Sequence, residues 1–202
     1  MKTGLTQVER KQRTRARLVE TARREFGRHG FGGASLDRIA EAAGYSKGAV
    51  YSNFASKAEL FLAVLDAHFE SRARDYADVA LDGRRPEESY RAVARFRLEA
   101  AEREPEWEPL LLEFWTYAAR RPELRDALTE RRERFLGLIA GLIEELATRH
   151  RIAYSIPTLE VARGSAALLR GLMIERMLDP SSTPSDLIEE MHAAYMKGLT
   201  KR

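Results

Sequence analysis

No cysteine occurs among the 202 residues. That excludes disulfides and thiolate chemistry and suits a reducing compartment. Long apolar runs are also missing. None approaches the ~18 residues of a membrane-spanning helix, and no signal segment opens the chain. A cytoplasmic protein with no membrane association is expected. Histidine is scarce: His29, His68, His150 and His192 lie far apart in the chain, so no H-x-x-x-H or H-E-x-x-H pair can hold a metal. G-x-S-x-G, P-loop and dinucleotide-loop motifs do not occur. The adjacent pairs Glu144-Glu145 and Glu189-Glu190 splay around a helix and need only be solvated. These absences argue against an enzyme, and no catalytic residue, metal or cofactor is expected.

What the chain has is charge, unevenly spread. The formal net charge is +3. Residues 1–57 carry +7 and residues 58–202 carry −4. Positive charge gathered on one segment fits an electrostatic footprint on phosphate. Arg10, Lys11, Arg13, Arg15 and Arg17 form a dense basic arm. With 44% apolar residues the rest can bury a sizeable core.

Residues 35–54, SLDRIAEAAGYSKGAVYSNF, read as two short helices broken by a glycine turn. Ser35 stands where a hydroxyl caps the first helix, about Leu36 to Ala43. Ile39, Ala40 and Ala43 form its inward stripe. Gly44 follows, where a positive φ costs least. Ser46 can cap a second helix, Lys47 to Phe54, too short to be stable alone. Val50 and Phe54 face inward, and Gly48 and Ala49 keep its start slim. Lys47, Tyr51, Ser52 and Asn53 are left to meet a partner. This layout can lay one helix in the DNA major groove. Lys57 opens the next helix, where free N–H groups already favour phosphate.

The stretch Leu18–Leu62 resembles the DNA-binding domain of the tetracycline-repressor (TetR) family. The shared features are a long first helix ending in an aromatic and a glycine turn (ARREFGRHGF), Ser35 opening the second helix, and I-A-x-x-A-G at Ile39, Ala40, Ala43 and Gly44. S-x-G-x-x-Y-x-x-F follows at Ser46, Gly48, Tyr51 and Phe54, then K-x-x-L at Lys57 and Leu60. Tyr45 stands where that family commonly has a small aliphatic residue, and Asn53 where His or Tyr is frequent. Both departures bear on the operator sequence. The resemblance implies DNA binding through Ser35, Ser46, Lys47, Gly48, Tyr51, Ser52, Asn53 and Lys57.

Glycine and proline punctuate the remainder. An all-α chain of about nine helices is expected. The first spans about Thr6 to Arg28, the next two form the hairpin above, and Ser56 caps a fourth that closes at DGRRP. Pro86, Pro105, Pro122 and Pro157 open the fifth to eighth, at positions where a missing N–H costs nothing. A ninth follows Pro184 and reaches about Leu199. Domains are expected at 1–57, helix-turn-helix, and 58–202, helical ligand-binding and dimerisation. Helix eight is apolar on two faces, and helix nine carries the stripe Leu187, Met191, Tyr195 and Leu199. The resemblance implies that these two helices pair with a second copy in a homodimer.

The resemblance also implies a small-molecule effector held in the larger domain. Candidate lining residues are His68, Phe96, Trp107, Glu113, Phe114, Trp115, Tyr117 and Met173. Glu113, amid LLLEFW, should be buried with a partner such as Arg97 or should face a cavity. The expected function is a transcriptional regulator, a repressor released from a palindromic double-stranded operator by its ligand. The alternatives are a ligand-independent architectural DNA-binding protein and a helical enzyme with an incidental basic face.

Overall fold

The computed structural model describes residues 6–82 and 85–201, so Gly83 and Arg84 of the DGRRP turn lie outside the described residues. Within the described residues the chain forms α1 (Gln7–Gly33), α2 (Leu36–Ala43), α3 (Lys47–Tyr51), α4 (Lys57–Ala80), α5 (Pro86–Arg103), α6 (Trp107–Ala119), α7 (Pro122–His150), α8 (Thr158–Leu178) and α9 (Ser185–Gly198). One antiparallel bridge, Tyr154 to Thr200, accompanies them. The chain divides into two compact units. One comprises Met1–His68 with Pro109–Leu128, the other Phe69–Glu108 with Thr129–Arg202. Helix α4 is continuous across this division.

In the first unit the helix boundaries follow local chemistry. Thr6 and Glu9 form a capping box at the start of α1. Ser35 and Ser46 accept from the amides of Arg38 and Ala49, each at 3.2 Å, as their positions predict. Gly44 ends α2 in the left-handed region, φ 73°, where its N–H reaches the Ala40 carbonyl. Helix α3 stops at Tyr51, earlier than the pattern suggests. There Ser52 Oγ and Asn53 Nδ2 both donate to the Ala49 carbonyl, at 3.0 and 2.7 Å. These side chains satisfy a carbonyl that another turn of helix would have used.

The turn between α1 and α2 is where distant parts of the chain meet. Gly30 breaks the helical geometry inside α1 with φ 69°. A Cβ there would also lie 2.8 Å from Glu113 Oε2. The Glu113 carboxylate accepts from the amides of Phe31 at 2.8 Å and Gly32 at 2.7 Å. From the other side Lys57 Nζ donates to the carbonyls of Phe31, Gly32 and Ala34 at 2.6, 3.1 and 3.0 Å. The ammonium also lies 4.7 Å from the Phe31 ring centroid. Burial pushes Lys57 below its ordinary pKa, and the attraction of Glu113 partly offsets this. Phe31 itself packs among Phe26, Phe61 and Phe114, with ring centroids 5.0 to 5.9 Å away.

The second unit is a helical packing of α5, α8 and α9 with the later part of α4 and most of α7. Tyr90, Leu146, Val161, Ala162 and Met196 are central to one cluster. Ala94, Leu98, Leu169, Met173 and Ile188 form another. On α9 the buried face is Ile188, His192, Ala193 and Met196, while Leu187 and Met191 are each 39% exposed. The buried face thus lies one residue round from the stripe that begins at Leu187 and Met191, which stays partly exposed. His192 is only 2% exposed. Its Nδ1 lies 2.8 Å from the Tyr90 carbonyl and its Nε2 2.8 Å from Ser165 Oγ. A carbonyl only accepts, so Nδ1 carries the proton and Ser165 donates to Nε2. That network holds the neutral ring, and burial lowers the histidine's pKa.

Two outcomes are expected. Lys57→Met should lower the unfolding free energy by about 2–3 kcal/mol and Glu113→Ala by about 1–2 kcal/mol, since each leaves backbone groups of one turn without a charged partner. Urea unfolding checks both, and two near-neutral values would remove the clamp from the account. His192 must take a proton in the unfolded chain but not in the fold. Its contribution is therefore complete above the ordinary histidine value of about 6.5 and is lost as pH falls from there toward the lowered folded value. Urea midpoints of His192→Gln should accordingly vary less than wild type between about pH 7.5 and about pH 5.5; an equal slope would contradict a buried neutral ring.

Candidate functional site

Helices α2 and α3 present a surface rather than a cleft. Val50 and Phe54 are buried, at 0% and 1% exposure, and anchor the pair. Lys47, Gly48, Tyr51 and Ser52 are exposed around that anchor, Tyr51 at 56%. Lys47 Nζ lies 2.6 Å from Asp37 Oδ2 on α2, and this bond raises its pKa. An exposed pair of this kind contributes little stability, but it fixes where the ammonium stands. The basic arm lies along α1. Arg15 donates to the Asn53 carbonyl at 2.9 Å and sits 4.2 Å over the Phe54 ring. Arg17 lies 6.0 Å over the ring of Tyr45. Arg10, Lys11 and Arg13 are exposed.

Four of the expected DNA contacts have other work in this geometry. Lys57 points its ammonium at three carbonyls of the α1–α2 turn and not outward. Asn53 is half-buried and turns its amide back to Ala49. Ser35 and Ser46 use their hydroxyls as helix caps. Lys47, Gly48, Tyr51 and Ser52 remain as the outward group.

The second unit holds a largely apolar cavity of about 90 Å³. Tyr76 and Ala80 of α4, Ser89 and Val93 of α5, Phe135 of α7 and Ala166 of α8 are among its walls, and His192 also reaches it. Ser89 is fully buried, and its Oγ has no hydrogen-bond partner. A buried hydroxyl left this way costs free energy unless something in the cavity meets it. Tyr90, another wall residue, bonds Tyr154 through the two hydroxyls at 2.8 Å. Burial raises the pKa of both phenols.

None of the eight expected ligand residues lines this cavity. Glu113 is exposed on an open groove of the first unit, beside Tyr117 and Arg121, and is bound to the amides of the α1–α2 turn, so its partner is not Arg97. Phe114 and Tyr117 join the aromatic cluster of the first unit, 5.0 and 4.8 Å from Phe31. Trp115 and His68 are half-buried. In the second unit Trp107 is buried, Met173 packs beside Leu169, and Phe96 stands edge-on to Tyr76 at 5.3 Å. Sequence reasoning missed Ser89, His192 and Tyr76. For His192 a signal existed, because Ile188, His192 and Met196 recur at helical spacing.

Among the described residues no helix is long and apolar enough to cross a membrane, and no group of three acidic or histidine side chains could hold a metal.

Comparison with known proteins agrees with this geometry. Residues 18–64 match the model of bacterial regulatory proteins of the tetR family, and residues 86–201 match the C-terminal model of BetI-type transcriptional repressors. The HTH-type transcriptional regulator TtgR of Pseudomonas putida is 44% identical over 63 residues, 31% of this chain and 30% of that protein. The HTH-type transcriptional repressor AcnR of Corynebacterium efficiens is 29% identical over 181 residues, 87% of this chain and 90% of that protein. A crystal structure described as a TetR-family transcriptional regulator from Mesorhizobium loti superposes with a TM-score of 0.73 at 27% identity, covering 94% of this chain and 96% of that one. These relatives are transcriptional regulators and not enzymes. The exposed face of α2–α3, the basic arm beside it and the two matched segments make this chain a member of the TetR family of DNA-binding transcriptional regulators.

Proposed function

We propose that this chain represses transcription as a homodimer on a palindromic operator and leaves it when a small molecule occupies the cavity of the second unit. The observation that carries the reading is α3. It is a five-residue helix held by Val50 and Phe54, with Lys47, Gly48, Tyr51 and Ser52 exposed around them. Those four meet base edges or phosphates in the major groove. Arg10, Lys11 and Arg13 hold phosphate beside it. Lys57, Ser35, Ser46 and Asn53 act by setting the turn and caps that aim α3.

TetR-family regulators act as dimers, and two recognition helices about one DNA turn, ~34 Å, apart read a palindrome. Pairing through α8 and α9 is supported by the large apolar side chains exposed there: Met177 and Leu178 on α8, Leu187 and Met191 on α9. Helix α4 supports the coupling. Its Phe61 packs in the first unit and its Tyr76 and Ala80 line the cavity of the second. An effector shifts the equilibrium only by binding the DNA-incompetent state more tightly.

Fluorescence anisotropy with labelled DNA flanking the protein's own coding region, against excess unrelated DNA, tests the interface. Tyr51→Ala should weaken specific binding by about tenfold or more while the dimer persists in sedimentation. Arg13→Ala should weaken specific and non-specific binding alike and flatten the salt dependence by about one unit of slope. Unchanged specific affinity in Tyr51→Ala would take α3 out of the interface.

A further inference from the structure

The walls of the cavity in the second unit restrict the chemistry of an occupant. None of the described wall residues is Asp, Glu, Lys or Arg. Most of the polar ones are engaged. Ser165 and His192 bond each other, His192 also bonds the Tyr90 carbonyl, and the Tyr90 hydroxyl bonds Tyr154. Tyr76 packs edge-on against Phe96 at 5.3 Å. Ser89 is different: it is fully buried, and its Oγ meets no partner. A hydroxyl inside a helix has a local remedy, since it can donate to the carbonyl four residues back. Thr14, Thr116 and Thr148 do so, to Arg10, Leu112 and Glu144, at 2.8 to 2.9 Å. Four residues before Ser89 the Arg85 carbonyl accepts the Ser89 amide at 3.0 Å, but not the hydroxyl. The hydroxyl therefore stands on an apolar wall with its donor and acceptor capacity unused. A lone water is a poor remedy, because it needs two to four polar partners and Ser165, His192 and Tyr90 are already bonded.

We propose that the cavity takes a small, uncharged, mostly apolar molecule carrying one hydroxyl or carbonyl group, and that this group bonds the Ser89 hydroxyl. This deepens the proposed function and rests on the cavity being the effector site. Charge of either sign is disfavoured. A buried ion is costly unless an opposite charge meets it, and the walls offer neither a carboxylate nor a cation. His192 stays neutral, because both ring nitrogens are taken and burial lowers its pKa. The rings of Tyr76, Tyr90 and Phe135 attract a cation only weakly, and without a carboxylate they do not replace its water. A single polar anchor on apolar walls is the usual way such a site orients its ligand. The volume of about 90 Å³ keeps the occupant short: a cavity of roughly 150 Å³ holds benzene.

Four probes of similar size test the class: 1-butanol, 1-chlorobutane, butanoate and tetramethylammonium. Each is titrated into the full-length protein, wild type and Ser89→Ala, with methyl NMR shifts at Ala162 and Leu169 as the readout. Butanol should bind at least about tenfold more tightly than either ion. Ser89→Ala should weaken butanol by about fivefold and leave chlorobutane, a poor hydrogen-bond former, unchanged or tighter. Without ligand, Ser89→Ala should melt no lower than wild type, because it removes a hydroxyl that nothing in the fold satisfies. An ion bound best would overturn the uncharged class yet keep the cavity as the site. Equal changes for butanol and chlorobutane in Ser89→Ala, or a lower melting temperature, would overturn the role of Ser89. Selective butanol binding with unchanged affinity for DNA in the anisotropy assay would overturn the effector reading and leave the ligand site standing. No methyl shift with any probe would overturn both.

Discussion

The turn between α1 and α2 is held by charge from both sides, and the geometry of the DNA-facing helices depends on it. Phe31 and Gly32 give their amides to the Glu113 carboxylate and their carbonyls to the Lys57 ammonium. Gly30 supplies the left-handed φ that turns those amides outward, and no Cβ fits against the carboxylate there. Lys57 also takes the carbonyl of Ala34, next to the Ser35 cap that starts α2. The position of α2 is therefore tied to residues at the start of α4 and in the middle of α6. Helix α3 is too short to hold itself and inherits its place from α2 through Ile39, Ala43 and Val50.

The second unit is stabilised on different terms. Its core is built from aliphatic and aromatic side chains with a neutral histidine among them, and a Ser165 hydroxyl and a Tyr90 carbonyl satisfy that ring completely. Next to this satisfied network lies Ser89, whose hydroxyl is not satisfied, on the wall of a cavity. A close-packed interior leaves few voids larger than a water molecule. Apolar walls and an orphan hydroxyl on a cavity are more than imperfect packing requires. Natural chains retain costly interior polar groups mainly where function needs them.

Much of the first unit was legible from sequence because its decisive residues act on their own backbone. Ser35, Ser46 and Gly44 do in the structure what a cap or a left-handed turn residue does anywhere. Val50 and Phe54 are buried as their spacing of four demands. Lys57 and Glu113 were not legible, since their partners stand 23 to 26 and 81 to 82 residues away. The same lysine at a helix start suits phosphate or a ring of carbonyls, and only the fold decides. Phe114 and Tyr117 were read as pocket walls, because periodicity marks an apolar face without naming the core it joins. On α9 the buried Ile188, His192 and Met196 lie one residue, about 100° of rotation in a helix of 3.6 residues per turn, from the stripe of Leu187 and Met191, and that inward face went unread because a second apolar stripe stands beside it.

The central claim is that what fills the cavity of the second unit governs affinity for DNA. Ala166→Phe places a ring on the cavity wall and mimics an occupant without any ligand. Its affinity for the DNA flanking the coding region, measured by fluorescence anisotropy beside wild type, tests that claim directly. The account predicts weakened specific binding by about tenfold or more, with the fold and the dimer retained. Wild-type affinity in a stable, cavity-filled variant would contradict it.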